Sequence, residues 1–108
     1  MVTIDRILEM LENNEFKSVE YKEIKGTPVW YYDVITNNGG IIRFTHGNKV
    51  LFSKEVITIS AFVPYEQDAI LKEIFKSDDV MFKRVYDVWN KIRVIEENRR
   101  REEYSKYF

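Results

Sequence analysis

Side chains able to do covalent or acid–base chemistry are scarce in this chain. It has no Cys and one His, His46, which excludes disulfides, thiolate metal sites and a Cys nucleophile. His46 lies in FTHGNK, where the neighbouring Gly and Asn predict a solvated hairpin tip rather than a general base. Zinc favours Cys- and His-rich ligand sets, so only a magnesium site built from carboxylates stays open. Gly26, Gly39, Gly40 and Gly47 fit neither a P-loop nor a dinucleotide fingerprint, and no nucleophile elbow is present. We expect no catalytic residue, no metal and no cofactor.

The carboxylates mostly have structural explanations. Asp78 and Asp79 stand where a helix cap would be. Glu96 and Glu97 precede Arg100 and Arg101 by four residues, and Asp87 precedes Lys91 by four, the spacing of helical ion pairs. Asp33 interrupts the apolar run WYYDVI, so it lies on a wet sheet face or pairs with a base such as Arg43; the wet face is the simpler expectation for an antiparallel sheet.

Two groups of residues are candidates for binding. Arg99, Arg100 and Arg101 form a basic run, but residues 96 to 108 hold four basic and four acidic side chains. Consecutive arginines also point about 100° apart on a helix, so a solvated helix end is expected before a phosphate grip. The second group is aromatic: Trp30, Tyr31, Tyr32 and Phe44 on the central hairpin. Alternation places Trp30, Tyr32 and Val34 on one face of a strand and Val29, Tyr31, Asp33 and Ile35 on the other. Helices need cover only one face, so rings on the other would be exposed, with Arg43 nearby. Trp89 adds a ring on the final helix. Core packing remains the simpler assignment for most of these rings.

The elements that must position these side chains follow from apolar period. Ile4, Ile7, Leu8 and Leu11 make one stripe, predicting a helix over 3–13 with Thr3 as N-cap. Between Glu15 and Val63, β-branched and aromatic residues alternate with turn signals. These predict strands near 16–25, 29–36, 41–45 and 49–62, with a tight hairpin at Asn37-Asn38-Gly39-Gly40. Ile70, Leu71, Ile74 and Phe75 predict a helix opening at Pro64. Met81, Val85, Val88, Ile92 and Ile95 predict another, capped by Ser77-Asp78-Asp79 and widened by Phe82 and Trp89. The expected architecture is one α+β domain over residues 1–108: an N-terminal helix, an antiparallel sheet of four to five strands and two C-terminal helices on one sheet face.

At 108 residues with 44% apolar side chains, one core is sufficient. A net charge of −1 supplies no global field for nucleic acid or membrane. Apolar runs such as Val29 to Tyr32 are far shorter than the roughly 20 residues of a membrane span. Asp5 and Glu9 break any apolar leader, so a cytoplasmic protein is expected. Twelve Ile and ten Lys against two Ala suit an AT-rich bacterial or phage genome. The leading expectation is a small non-catalytic protein-binding module, a phage or mobile-element regulator or inhibitor that occludes a host protein. The alternative is a nucleic-acid-associated protein using Arg99 to Arg101 and strand aromatics. A homodimer through the C-terminal helix is also expected, because one sheet face would leave a flank of that helix uncovered.

Overall fold

The first helix forms where the apolar stripe requires it. A computed structural model describes residues 2–47 and 54–108, and α1 runs Ile4–Glu12. Thr3 Oγ1 accepts the Arg6 N–H at 3.2 Å, satisfying one otherwise unpaired first-turn donor. Ile7, Leu8 and Leu11 are buried. Asn14, at φ 59°, turns the chain out of the helix, a conformation Asn tolerates better than most residues.

Five strands follow: β1 (Ser18–Glu23), β2 (Trp30–Ile35), β3 (Ile41–Gly47), β4 (Val56–Phe62) and β5 (Leu71–Lys76). They form one sheet in the order β1-β2-β3-β4-β5 with every neighbour antiparallel. The expected hairpin joins β2 to β3. Gly39 N–H donates to Thr36 O at 3.1 Å, and Thr36 N–H donates to Gly40 O at 2.9 Å. Gly39, at φ 85°, is the residue of this loop in the left-handed region. The part of the 49–62 strand expectation that falls on 49–53 lies outside the described residues.

The sequence differs from the structure most between Pro64 and Lys76. The predicted helix is a turn followed by β5, leaving one C-terminal helix instead of two. Ile70, Leu71, Ile74 and Phe75 satisfy a helical spacing, but LKEIFK is only six residues long, too short to sustain an isolated helix. As a strand it buries Phe75 and pairs along β4 from Val56↔Lys76 to Ala61↔Leu71. Tyr65, at φ 70°, sits in the preceding turn.

The last helix, α2, runs Phe82–Ser105. Ser77-Asp78-Asp79 does not cap it. Asp79 Oδ2 instead accepts the Lys76 N–H at 2.7 Å in the turn leaving β5, and Met81 occupies the N-cap without a side-chain bond. The heptad seam goes into the core: Val85, Val88 and Ile92 are buried, with Met81 and Ile95 packed alongside. α2 runs across the strands, from Met81 just after β5, past Trp89 stacked on His46 of β3, to Arg100 over Tyr21 of β1.

Both helices therefore lie on the sheet face that carries Val19, Tyr32, Val34, Ile42, Phe44, Ile57, Ile59, Ala61 and Phe75, all buried. Each such large apolar side chain contributes roughly 1.5 to 3 kcal/mol on burial. Among the described residues, no helix covers the opposite face. No helix among them is long and apolar enough to cross a membrane.

Candidate binding surface

Asp33 and Arg43 stand directly opposite each other on β2 and β3, on the uncovered face. Arg43 Nε donates to Asp33 Oδ1 at 2.8 Å and its second nitrogen, Nη2, to Oδ2 at 3.1 Å. Lys22 Nζ, from β1, stands 3.6 Å from the same carboxylate. Asp33 lies on the face that no described helix covers, but it is fully buried rather than solvated as expected, and the alternative, a pair with Arg43, is what occurs. Its side chain is covered by the groups it holds. The carboxylate in turn raises the Arg43 pKa above its usual value, through their hydrogen bonds first and their charges second.

Two rings flank the guanidinium at diagonal positions of the ladder. Its central carbon lies 4.3 Å from the Tyr31 ring centroid and 5.0 Å from that of Phe62, both within cation–π range. Ile35, Ile41 and Ile74 continue the apolar surface on the same face, and Ile74 is 55% exposed. The bidentate pair and the two rings hold the guanidinium as a preformed, partly buried cation between aromatic walls. Such a group can hydrogen-bond a carbonyl or carboxylate and stack on a planar partner.

The predicted aromatic group divides between the two faces. Tyr31 faces outward beside Arg43. Tyr32 is buried among the core residues, and Trp30 packs against Tyr21 and Tyr32 with centroids 6.1 and 5.6 Å apart. Burial raises the Tyr32 pKa, and the hydrogen bond from Tyr21 to Glu23 at 2.7 Å pushes Tyr21 up to about 12. Trp89 is 6% exposed beneath His46, ring centroids 4.4 Å apart, and its Nε1 is buried without a hydrogen-bond partner among the described residues. His46 is not a solvated tip. It belongs to β3, and its Nε2 is 2.7 Å from Glu55 Oε1.

Arg99, Arg100 and Arg101 sit near the end of α2 with unequal roles. Glu96, fully buried, receives two hydrogen bonds from Arg99 at 2.9 and 3.0 Å and has Arg100 Nε at 3.3 Å. The expected Glu97–Arg101 pair is replaced by Arg93–Glu97, both oxygens at 2.9 Å, because an arginine one turn earlier reaches the same carboxylate. The expected Asp87–Lys91 pair is likewise absent: Asp87 pairs with Lys83, and Lys91 donates to the Leu11 and Glu12 carbonyls at the end of α1. Arg101 is exposed and makes no ion pair among the described residues.

Sequence reasoning missed Phe62. It belongs to the same alternation as Val56, Thr58 and Ser60, but its place beside Arg43 needs the β3–β4 register, Ile41↔Phe62. Among the described residues, no three His, Asp or Glu side chains converge as a metal site.

Fold and surface together define a two-layer α+β protein in which, among the described residues, no helix covers the sheet face around Arg43. Comparison with protein-family models, with curated proteins and with solved structures finds no match.

Proposed function

We propose that this chain is a non-catalytic protein-binding module that uses the open sheet face around Tyr31, Arg43 and Phe62 and acts as a regulator or inhibitor by occluding a larger protein. The observation that carries it is the immobilised Arg43, fixed by Asp33 and flanked by two rings. Interface hot spots are enriched in Tyr and Arg, and a side chain ordered before binding loses little entropy on contact. Ile35, Ile41 and Ile74 supply the apolar surround, with Lys22 and Lys72 as a polar rim. Nucleic-acid binding draws less support, since Arg43, Arg99 and Arg100 all have carboxylate partners and phosphate contact needs uncompensated charge.

Capture from a lysate of the source organism tests this. Immobilised wild-type protein should retain a protein partner, with little loss as salt rises, and the Tyr31→Ser/Phe62→Ser variant should lose it while keeping its fold. Equal capture by that variant would move the contact surface elsewhere. Retention that collapses with salt and with nuclease would favour nucleic acid.

A further inference from the structure

The sheet has two edges, and they are finished differently. In β5 the Ser77 N–H donates to Glu55 O at 2.9 Å, so with the β4–β5 register the main-chain groups of Lys72, Ile74 and Lys76 face outward. That edge is partly closed: the outward Lys76 N–H is taken by Asp79 Oδ2. In β1 the Ile24 N–H donates to Val29 O at 2.9 Å. The β1–β2 register then points the main-chain groups of Ser18, Glu20 and Lys22 toward β2 and those of Val19, Tyr21 and Glu23 away from the sheet. Among the described residues, no side chain takes the main-chain N–H or C=O of these three. Unpaired edges of this kind template an added strand.

The end of α2 gives this edge a roof. Arg100 lies over the Tyr21 ring, its central carbon 4.5 Å from the centroid, and the helix continues to Ser105 with every residue from Arg101 onward exposed. Five further residues rise about 7.5 Å, more than the roughly 4.8 Å to the next strand position. The side of α2 that holds Arg100 carries a recess of about 200 Å³ lined by Glu97, Arg100, Arg101 and Tyr104. Glu97 is committed to Arg93 and Arg100 lies beside Glu96, which leaves Arg101 as the open charge.

A second copy paired about Tyr21 is disfavoured at this edge. Pairing β1 with itself about Tyr21 would match Glu20 with Lys22, but the two-fold axis would pass through the point that α2 crosses. The two helix ends would then meet head on. An extended segment without a helix above it meets no such obstacle.

We propose that the outer edge of β1, roofed by the end of α2, takes up one extended segment of a partner protein as a sixth strand, and that the segment presents an acidic side chain to Arg101. Strand addition draws affinity from main-chain hydrogen bonds and selectivity from alternate side chains. Residues of the added strand that point toward α2 meet Tyr104 and Arg101, so a carboxylate between apolar neighbours is the matching pattern. The proposal is independent of the open sheet face.

The probe is a ten-residue peptide alternating Val and Thr with one central Asp, used beside a twin with alternate amides N-methylated. Amide hydrogen exchange on the intact chain should show Val19, Tyr21 and Glu23 exchanging freely alone and slowed at least about tenfold when saturated with peptide. Glu20 and Lys22 should stay unchanged. The N-methylated twin should not bind, and Arg101→Glu should weaken the Asp peptide by about fivefold without changing the thermal midpoint. Tyr31→Ser/Phe62→Ser should bind the peptide as wild type does, which separates this edge from the open face. No protection at millimolar peptide, protection confined to other strands, or equal binding of the methylated twin would overturn it.

Discussion

Glu96 and Asp33 are the charged side chains that the described fold takes fully out of water, and each is held by arginine. An unpaired carboxylate in either place would carry a desolvation cost of several kcal/mol. The three arginines at 99 to 101 are therefore not equivalent, contrary to their expected common role as a solvated helix end. Arg101→Ala should change stability by less than about 0.5 kcal/mol. Arg99→Ala with Arg100→Ala strands Glu96 and should cost about 1 to 3 kcal/mol, read as a shift of the urea midpoint. Adding Glu96→Leu should recover most of the loss; an unshifted midpoint in the double variant would mean that Glu96 is solvated. Spacing alone ranks Glu96–Arg100 and Glu97–Arg101 equally. Burial separates them, and burial depends on β1 lying under α2. The same limit applies to Asp33, whose alternation placed it on the open face but could not show that Arg43 and Lys22 would cover it.

The elements were legible where a local signal and the tertiary contacts agreed. α1 has both its stripe and its Thr3 cap, and the Asn37–Gly40 loop has both its turn chemistry and its two main-chain bonds. β5 was not legible, because six residues satisfy either period and only pairing with β4 decides between them. Within the hairpin the conformational demand falls on Gly39. A Cβ there would meet only Pro64 Cγ at 3.8 Å, so Gly39→Val is disfavoured by its backbone angle rather than by space. It should cost about 1 to 2 kcal/mol, while Asn38→Val should cost less; equal midpoints on thermal melting would contradict this. The tie between the helices gives a pH signature. Arg84 donates to Glu12 at 2.7 and 3.2 Å, and that hydrogen bond, with the charges of Arg84 and Lys91, holds Glu12 below its usual 4.5. A depressed carboxylate stabilises the fold above 4.5 and ceases to do so as pH falls through the lowered value. Wild type should therefore melt above Glu12→Gln near about pH 6, and the gap should narrow as pH falls below 4.5 through the lowered value. A constant gap across that range would show that Glu12 titrates normally.

For the whole molecule, the expected helix-mediated dimer rested on Phe82 and Trp89 widening the α2 stripe beyond what one sheet face covers. Trp89 is instead packed under His46 and flanked by Tyr86, ring centroids 5.6 Å apart, while Val85, Val88 and Ile92 face the core. Past Arg100 the chain leaves Arg101, Glu102, Glu103 and Lys106 to solvent together with Tyr104, Tyr107 and Phe108. The Val85, Val88 and Ile92 seam is spent in the core and adds nothing to association, whose main energy source is buried apolar area. The open sheet face, by contrast, offers Tyr31, Ile35, Ile41 and Phe62 in one continuous patch. Sedimentation equilibrium at micromolar concentration should therefore give the monomer mass of 13.0 kDa. If a dimer forms through the sheet face, Phe62→Ser should dissociate it and truncation after Arg100 should leave it intact. A dimer that survives Phe62→Ser and is lost on that truncation would place self-association back on the helix.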